Sequence, residues 1–101
     1  MQALDSGSVF GTIGAVGRWQ RLVETARRSP ANVGFEELCR LVERLGFVER
    51  RRAGSHRIYR HSTKPELPLI NLQAGPSGKA KPYQVRQVLG IMDAHGVEVG
   101  E

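Results

Sequence analysis

The chain has 101 residues, 40% hydrophobic and 25% charged, which sets the scale of one small domain with one core. No apolar run approaches the roughly 18–20 residues that span a bilayer. Residues 1–17 also lack the basic start and continuous apolar stretch of a signal peptide, so a soluble cytoplasmic protein is expected.

The net charge of +5 is uneven. Residues 49–86 hold nine Lys and Arg against Glu49 and Glu66, so this segment carries +7 and the rest of the chain −2. A field concentrated in this way favours a polyanion or an acidic partner.

Residues 1–17 are glycine-rich, carry one charge and show no period, so they are expected to form a flexible leader. From Arg18 to Arg28, Trp19, Leu22, Val23 and Ala26 recur at i, i+3, i+4 and i+7, one apolar face of a helix. Ser29-Pro30 ends it. A second helix is predicted over 35–45, where Leu38, Leu41, Val42 and Leu45 repeat the pattern with Phe35 one turn before. Glu36 and Glu37 in its first turn suit the helix dipole, and Gly46 is a natural C′ residue. Cys39 lies among its apolar positions and is read as a buried structural thiol.

Beyond Gly46 the period changes from 3.6 to about 2. Strands are predicted over 47–52, 55–61 and 67–72, the first two joined by a tight turn at Ala53-Gly54. A glycine-rich loop over 73–81 follows. Pro82 then opens a closing helix at position N1, with Val85, Val88, Leu89 and Met92 on its apolar face and Gly96 at its end. The expected fold is α+β: an α-β-β-β-α core of the double-stranded-RNA-binding-domain-like kind, over 33–97, with an additional N-terminal helix. One domain is expected over 18–97, with a tail over 98–101.

The chemistry concentrates at the hairpin. An imidazole titrates near neutral pH, and His56 follows the turn directly. Such a ring can take the proton of a ribose 2′-OH or protonate a leaving oxygen. The arginine run through Arg51 and Arg52, together with Arg57, offers guanidinium forks that match phosphate oxygens. Gly54 supplies backbone freedom at the turn and lets a phosphate approach. The Ser55 hydroxyl either bonds a ligand or satisfies the turn. Lys79 and Lys81 set two cations beside a helix N-terminus, where free N–H groups already favour anions. Tyr59 is read as core. His61, near a strand end and without an evident partner, is read as structural or incidental, and His95 is given no role. No His, Cys, Asp and Glu cluster has metal-ligand spacing, and neither metal nor cofactor is expected.

Phe35-Glu36-Glu37-Leu38 leading to Leu45-Gly46-Phe47, then Gly54-Ser55-His56 with Tyr59 and His61, resembles the HicA family of bacterial type II toxins. The later run Asn71-Leu72-Gln73, followed by Gly78-Lys79-Ala80-Lys81-Pro82-Tyr83-Gln84-Val85-Arg86-Gln87, is similar to the same family. The resemblance covers about 18–96 and is closest to a longer subgroup with a helix ahead of the usual domain. It implies a ribosome-independent endoribonuclease acting on mRNA, whose essential histidine falls at His56, and an antitoxin of the HicB type that covers the site. Many relatives carry a second histidine directly after the first, where this chain has Arg57. The competing reading is a non-catalytic RNA-binding or adaptor module on the same fold.

Overall fold

The computed structural model describes residues 17–99. The leader expected over 1–17 falls outside them except for Gly17, as do the last two residues of the tail. Six principal elements follow in order: α1 (Arg18–Arg28), α2 (Phe35–Arg44), β1 (Phe47–Ala53), β2 (His56–His61), β3 (Ile70–Gln73) and α3 (Pro82–His95), with short 3-10 turns at Pro30–Asn32 and Pro76–Gly78. The strands form one antiparallel sheet in the order β1-β2-β3. This is the α-β-β-β-α core with an extra N-terminal helix, the double-stranded-RNA-binding-like arrangement.

The first two helices start where the sequence supplies a partner for a free N–H. Gly17 and Gly34 donate their N–H to the side chains of Gln20 and Glu37, each at 3.0 Å. Pro82 begins α3 and Gly96 closes it in the left-handed region at φ 66. Leu38, Leu41 and Val42 of α2, Val85 and Val88 of α3, and Tyr59, Ile70 and Leu72 of the sheet are essentially inaccessible to solvent. Burying one such aliphatic side chain is worth about 1.5–3 kcal/mol. Trp19, Leu22 and Val23 of α1 pack against this core, and Ala26 is fully buried in it. Arg27 clamps α1 to α3 through both Asp93 carboxylate oxygens, at 3.1 and 2.8 Å, and holds that carboxyl below the usual aspartate range.

The third strand and the hairpin turn differ from the sequence reading. The third strand begins at Ile70 rather than at residue 67. Pro68 has no N–H to give to a ladder, and Leu67 turns into the core while Leu69 faces solvent. The hairpin turn falls on Gly54-Ser55 rather than Ala53-Gly54, because Ala53 pairs with His56 across a two-residue connection. Gly54 takes φ +60 there, as a tight hairpin requires.

His61 is not the unpartnered histidine its position in the sequence suggests. It is buried, and its Nε2 donates to the Leu45 carbonyl at 3.1 Å. Its Nδ1 accepts from the N–H groups of Thr63 and Lys64 at 3.2 and 3.1 Å. The ring stands edge-on to Phe47, 5.0 Å between centroids. It therefore ties the end of α2 to the loop that leads into β3.

Candidate functional site

Strand alternation decides which side chains share a face. On β2, Tyr59 and His61 turn toward the helices, and so must Arg57, two residues before Tyr59. Leu72, the register partner of Arg57, is fully buried on that side. His56, Ile58 and Arg60 face the other way, onto the side of the sheet that the helices leave uncovered. Arg51, opposite Ile58, joins them there, as do Asn71 and Gln73 of β3.

On this open face, His56 Nδ1 lies 3.0 Å from Asn71 Oδ1. An amide oxygen only accepts, so the contact places a proton on Nδ1, and Nε2 has no hydrogen-bond partner among the described residues. The ring is half-buried and reachable from solvent. Gln73, directly across the ladder from His56, donates Nε2–H to Ser55 Oγ at 2.9 Å and accepts from Lys81 Nζ at 2.7 Å. Its own backbone N–H goes to Gln84 Oε1 at 3.1 Å. Ser55, Gln73 and Lys81 thus form one hydrogen-bonded chain beside His56, anchored to the first turn of α3. Lys81 uses one of its three donors on Gln73.

The pleat divides the cations that the sequence groups around one phosphate. Arg57, next to His56 in sequence, lies on the opposite face of the strand. Its guanidinium sits over the Phe35 ring, 4.9 Å from the centroid, and forks onto the Glu36 carboxylate at 3.3 and 2.9 Å. That ion pair raises the Arg57 pKa further above its already high range. Arg52 pairs with Arg57 across the ladder and forks onto Glu49 at 2.8 and 3.0 Å. A β-bulge between Glu49 and Arg51 brings Glu49 and Arg52 to one side of β1 despite their odd spacing. Glu49 is held below the usual carboxylate range by that contact. Lys79 is exposed on the loop after Gly78, and its backbone bridges to Gly34 at the start of α2.

Asn71, Gln73 and Glu36 are the partners that sequence reasoning left without a role. The signal was present for two of them. Ile70 and Leu72 are apolar, Asn71 and Gln73 polar, and that alternation places both amides on the face of His56. Glu36 offered no such signal, since acidic residues at a helix start have a sufficient local explanation. Among the described residues, no group of three or more His, Cys, Asp and Glu is placed to hold a metal ion. Nor is any helix among them long and apolar enough to cross a membrane.

A family model described as HicA toxin of bacterial toxin-antitoxin matches residues 35–94. The chain belongs to the HicA toxin family. The match runs from the first residue of α2 nearly to the end of α3, so it takes in the whole sheet, and α1 precedes it. Compared with the curated proteins and with the solved structures, the chain has no match. Membership in the HicA family carries with it the context of a toxin–antitoxin system.

Proposed function

We propose that this HicA-family protein is a metal-independent endoribonuclease that cleaves mRNA with His56 as its acid/base, and that a HicB-type antitoxin restrains it by covering the open face. The observation that carries the reading is the His56–Asn71 contact. A ring whose Nδ1 is engaged and whose Nε2 is free is the arrangement a general base needs, with the second group orienting the first.

The chemistry follows from that atom. Nε2 takes the proton from a ribose 2′-OH, and the oxygen attacks the adjacent phosphorus in line. The bond from phosphorus to the 5′-oxygen breaks, and that oxygen takes up a proton, leaving a 2′,3′-cyclic phosphate and a 5′-OH. A single acid/base group contributes typically 10²–10⁴-fold, a range that suits a toxin for which few cuts are enough. The negative charge that builds on the phosphate is met by Lys81, with two donors left after Gln73, by the Ser55 hydroxyl and by Arg51 on the same face. Gly54 keeps the tip narrow enough for the backbone to come close. Lys79 adds long-range attraction for the strand.

The test uses purified protein, an RNA oligomer and EDTA. The expected products carry 5′-OH and cyclic-phosphate ends, and both His56→Ala and 2′-deoxy substitution at the cut abolish them. Binding without cleavage would select the non-catalytic RNA-binding or adaptor module instead.

A further inference from the structure

A concavity beside the hairpin is not on the His56 face. It lies on the other side of β2, between the hairpin tip and the first turn of α2, with a volume of about 360 Å³. Phe35, Glu36, Arg52, Gly54, Ser55 and Arg57 line it. That size is at the lower end of ligand pockets and suits one nucleotide unit rather than a length of strand.

Two features make this pocket a receptor for an anion. Arg57 is fixed before any ligand arrives: its side chain is only 21% exposed and its guanidinium rests on the Phe35 ring. Its partner is not fixed. The Glu36 side chain is 62% exposed, so releasing its carboxylate to water costs little. Arg52, across the ladder from Arg57, is the reverse case: its own side chain is 57% exposed, and its carboxylate partner Glu49 only 26%. The pocket thus holds one fixed guanidinium, Arg57, neutralised by a carboxylate that another anion can replace, with the exposed Arg52 guanidinium across the ladder from it.

The hairpin tip connects this pocket to the proposed cleavage site. His56 and Arg57 are consecutive, so only the thickness of one strand separates the open face from the pocket. Gly54 and Ser55 are exposed at the tip, and a Cβ on Gly54 would meet no atom within 4 Å. A polynucleotide crossing the tip can therefore touch both faces.

We propose that the Arg52–Arg57 pocket is a second RNA contact, holding one phosphate of the strand on the far side of the hairpin tip from His56, and that Glu36 is the competing anion which this phosphate displaces. The inference rests on the RNA-cleavage reading. Phosphate is favoured over carboxylate because an RNA strand releases counterions when its charge is neutralised, and a side-chain carboxylate does not. Glu36 then acts as an occupant that keeps weak or isolated anions out.

The test measures affinity of the full chain for a fluorescein-labelled single-stranded RNA of about 12 nucleotides, 2′-O-methylated to block cleavage, across a salt series. Glu36→Gln removes the competitor and keeps the shape, and is expected to tighten binding by about three-fold or more. Arg57→Gln is expected to weaken it by about ten-fold and to lower the log–log salt slope by about 0.7, one phosphate contact on a single strand. Unchanged or weaker binding by Glu36→Gln overturns the proposal, whatever Arg57→Gln does to folding. Failure of the RNA-cleavage reading looks different: the wild-type chain would then bind RNA without cutting it, or His56→Ala would still cut. If His56→Ala is inactive while Glu36→Gln binds as wild type, only the pocket is lost.

Discussion

His56 and Asn71 sit on adjacent strands of the sheet face that the helices leave uncovered, and the 3.0 Å contact between Nδ1 and Oδ1 engages one imidazole nitrogen while the other has no partner among the described residues. In the proposed reaction Asn71 reaches the ring and not the reacting atoms, which makes it a positioning residue there. Asn71→Ala is expected to lower kcat about ten-fold, the loss of about one neutral hydrogen bond in orientation. Asn71→Asp should keep the orientation but favour the charged ring, moving the acid limb of the pH–rate profile upward. Wild-type kcat in Asn71→Ala, or an unmoved limb in Asn71→Asp, would remove Asn71 from the site.

Lys81 and Lys79 stand two residues apart but differ in attachment. Lys81 is hydrogen-bonded into the chain that runs through Gln73 to Ser55, whereas Lys79 is an exposed loop cation. Both Lys81→Gln and Lys79→Gln should weaken RNA binding and flatten its salt dependence, as any phosphate-facing lysine does. Only Lys81→Gln is expected to reduce kcat as well, by about ten-fold, because Lys81 is the lysine held beside His56, where the proposed reaction develops charge. Single-turnover rates at saturating RNA separate the two effects.

The fold was largely legible because its signals are local and repeated. The 3.6-residue pattern of 18–28, the switch to a period of two after Gly46, and Pro82 at a helix start each fix an element without reference to the rest. Pairings between distant residues were not legible. Arg57 is next to His56 in sequence, and only the pleat, with Leu72 buried across from Arg57, sends the two to opposite faces. The bonds of His61 to Leu45, Thr63 and Lys64 are of the same kind. A histidine at a strand end reads as structural or incidental alike until the loop folds back over it and makes it structural.

Helix α1 lies outside the stretch matched by the family model, yet Ala26 is fully buried and Trp19 packs against the core. Trp19 is the one tryptophan of the chain, flanked by the Arg18 and Arg44 guanidinium groups at 5.1 and 5.7 Å from its ring. If α1 belongs to a single cooperative domain, urea unfolding followed by its fluorescence coincides with unfolding followed by circular dichroism. An earlier fluorescence transition would make α1 a separately melting arm. The Arg27–Asp93 clamp adds a pH dependence. Asp93 titrates below its ordinary value, so its contribution is complete above about pH 4 and fades as pH falls through the lowered folded value. Trp19 fluorescence should therefore be indifferent to acidification from neutral pH to about 5 and respond only below that.

Gly46 and His61 should be energetically coupled. Gly46 sits at φ +104, a conformation that costs a residue with a Cβ about 1–3 kcal/mol. A Cβ there would also lie 2.7 Å from His61 Nε2, the atom that donates to Leu45. Gly46→Ala therefore carries two penalties, backbone strain and a collision with a ring that cannot retreat without losing its bonds. His61→Ala empties a buried site and strands the Leu45 carbonyl and two N–H groups, for about 2–4 kcal/mol. In the double variant the collision is gone and only the strain remains. The two costs should then sum to about 1 kcal/mol more than the double variant loses. Equilibrium urea denaturation of the four proteins gives this coupling directly. Strict additivity would mean that the ring does not bear on Gly46, and that backbone conformation alone requires the glycine.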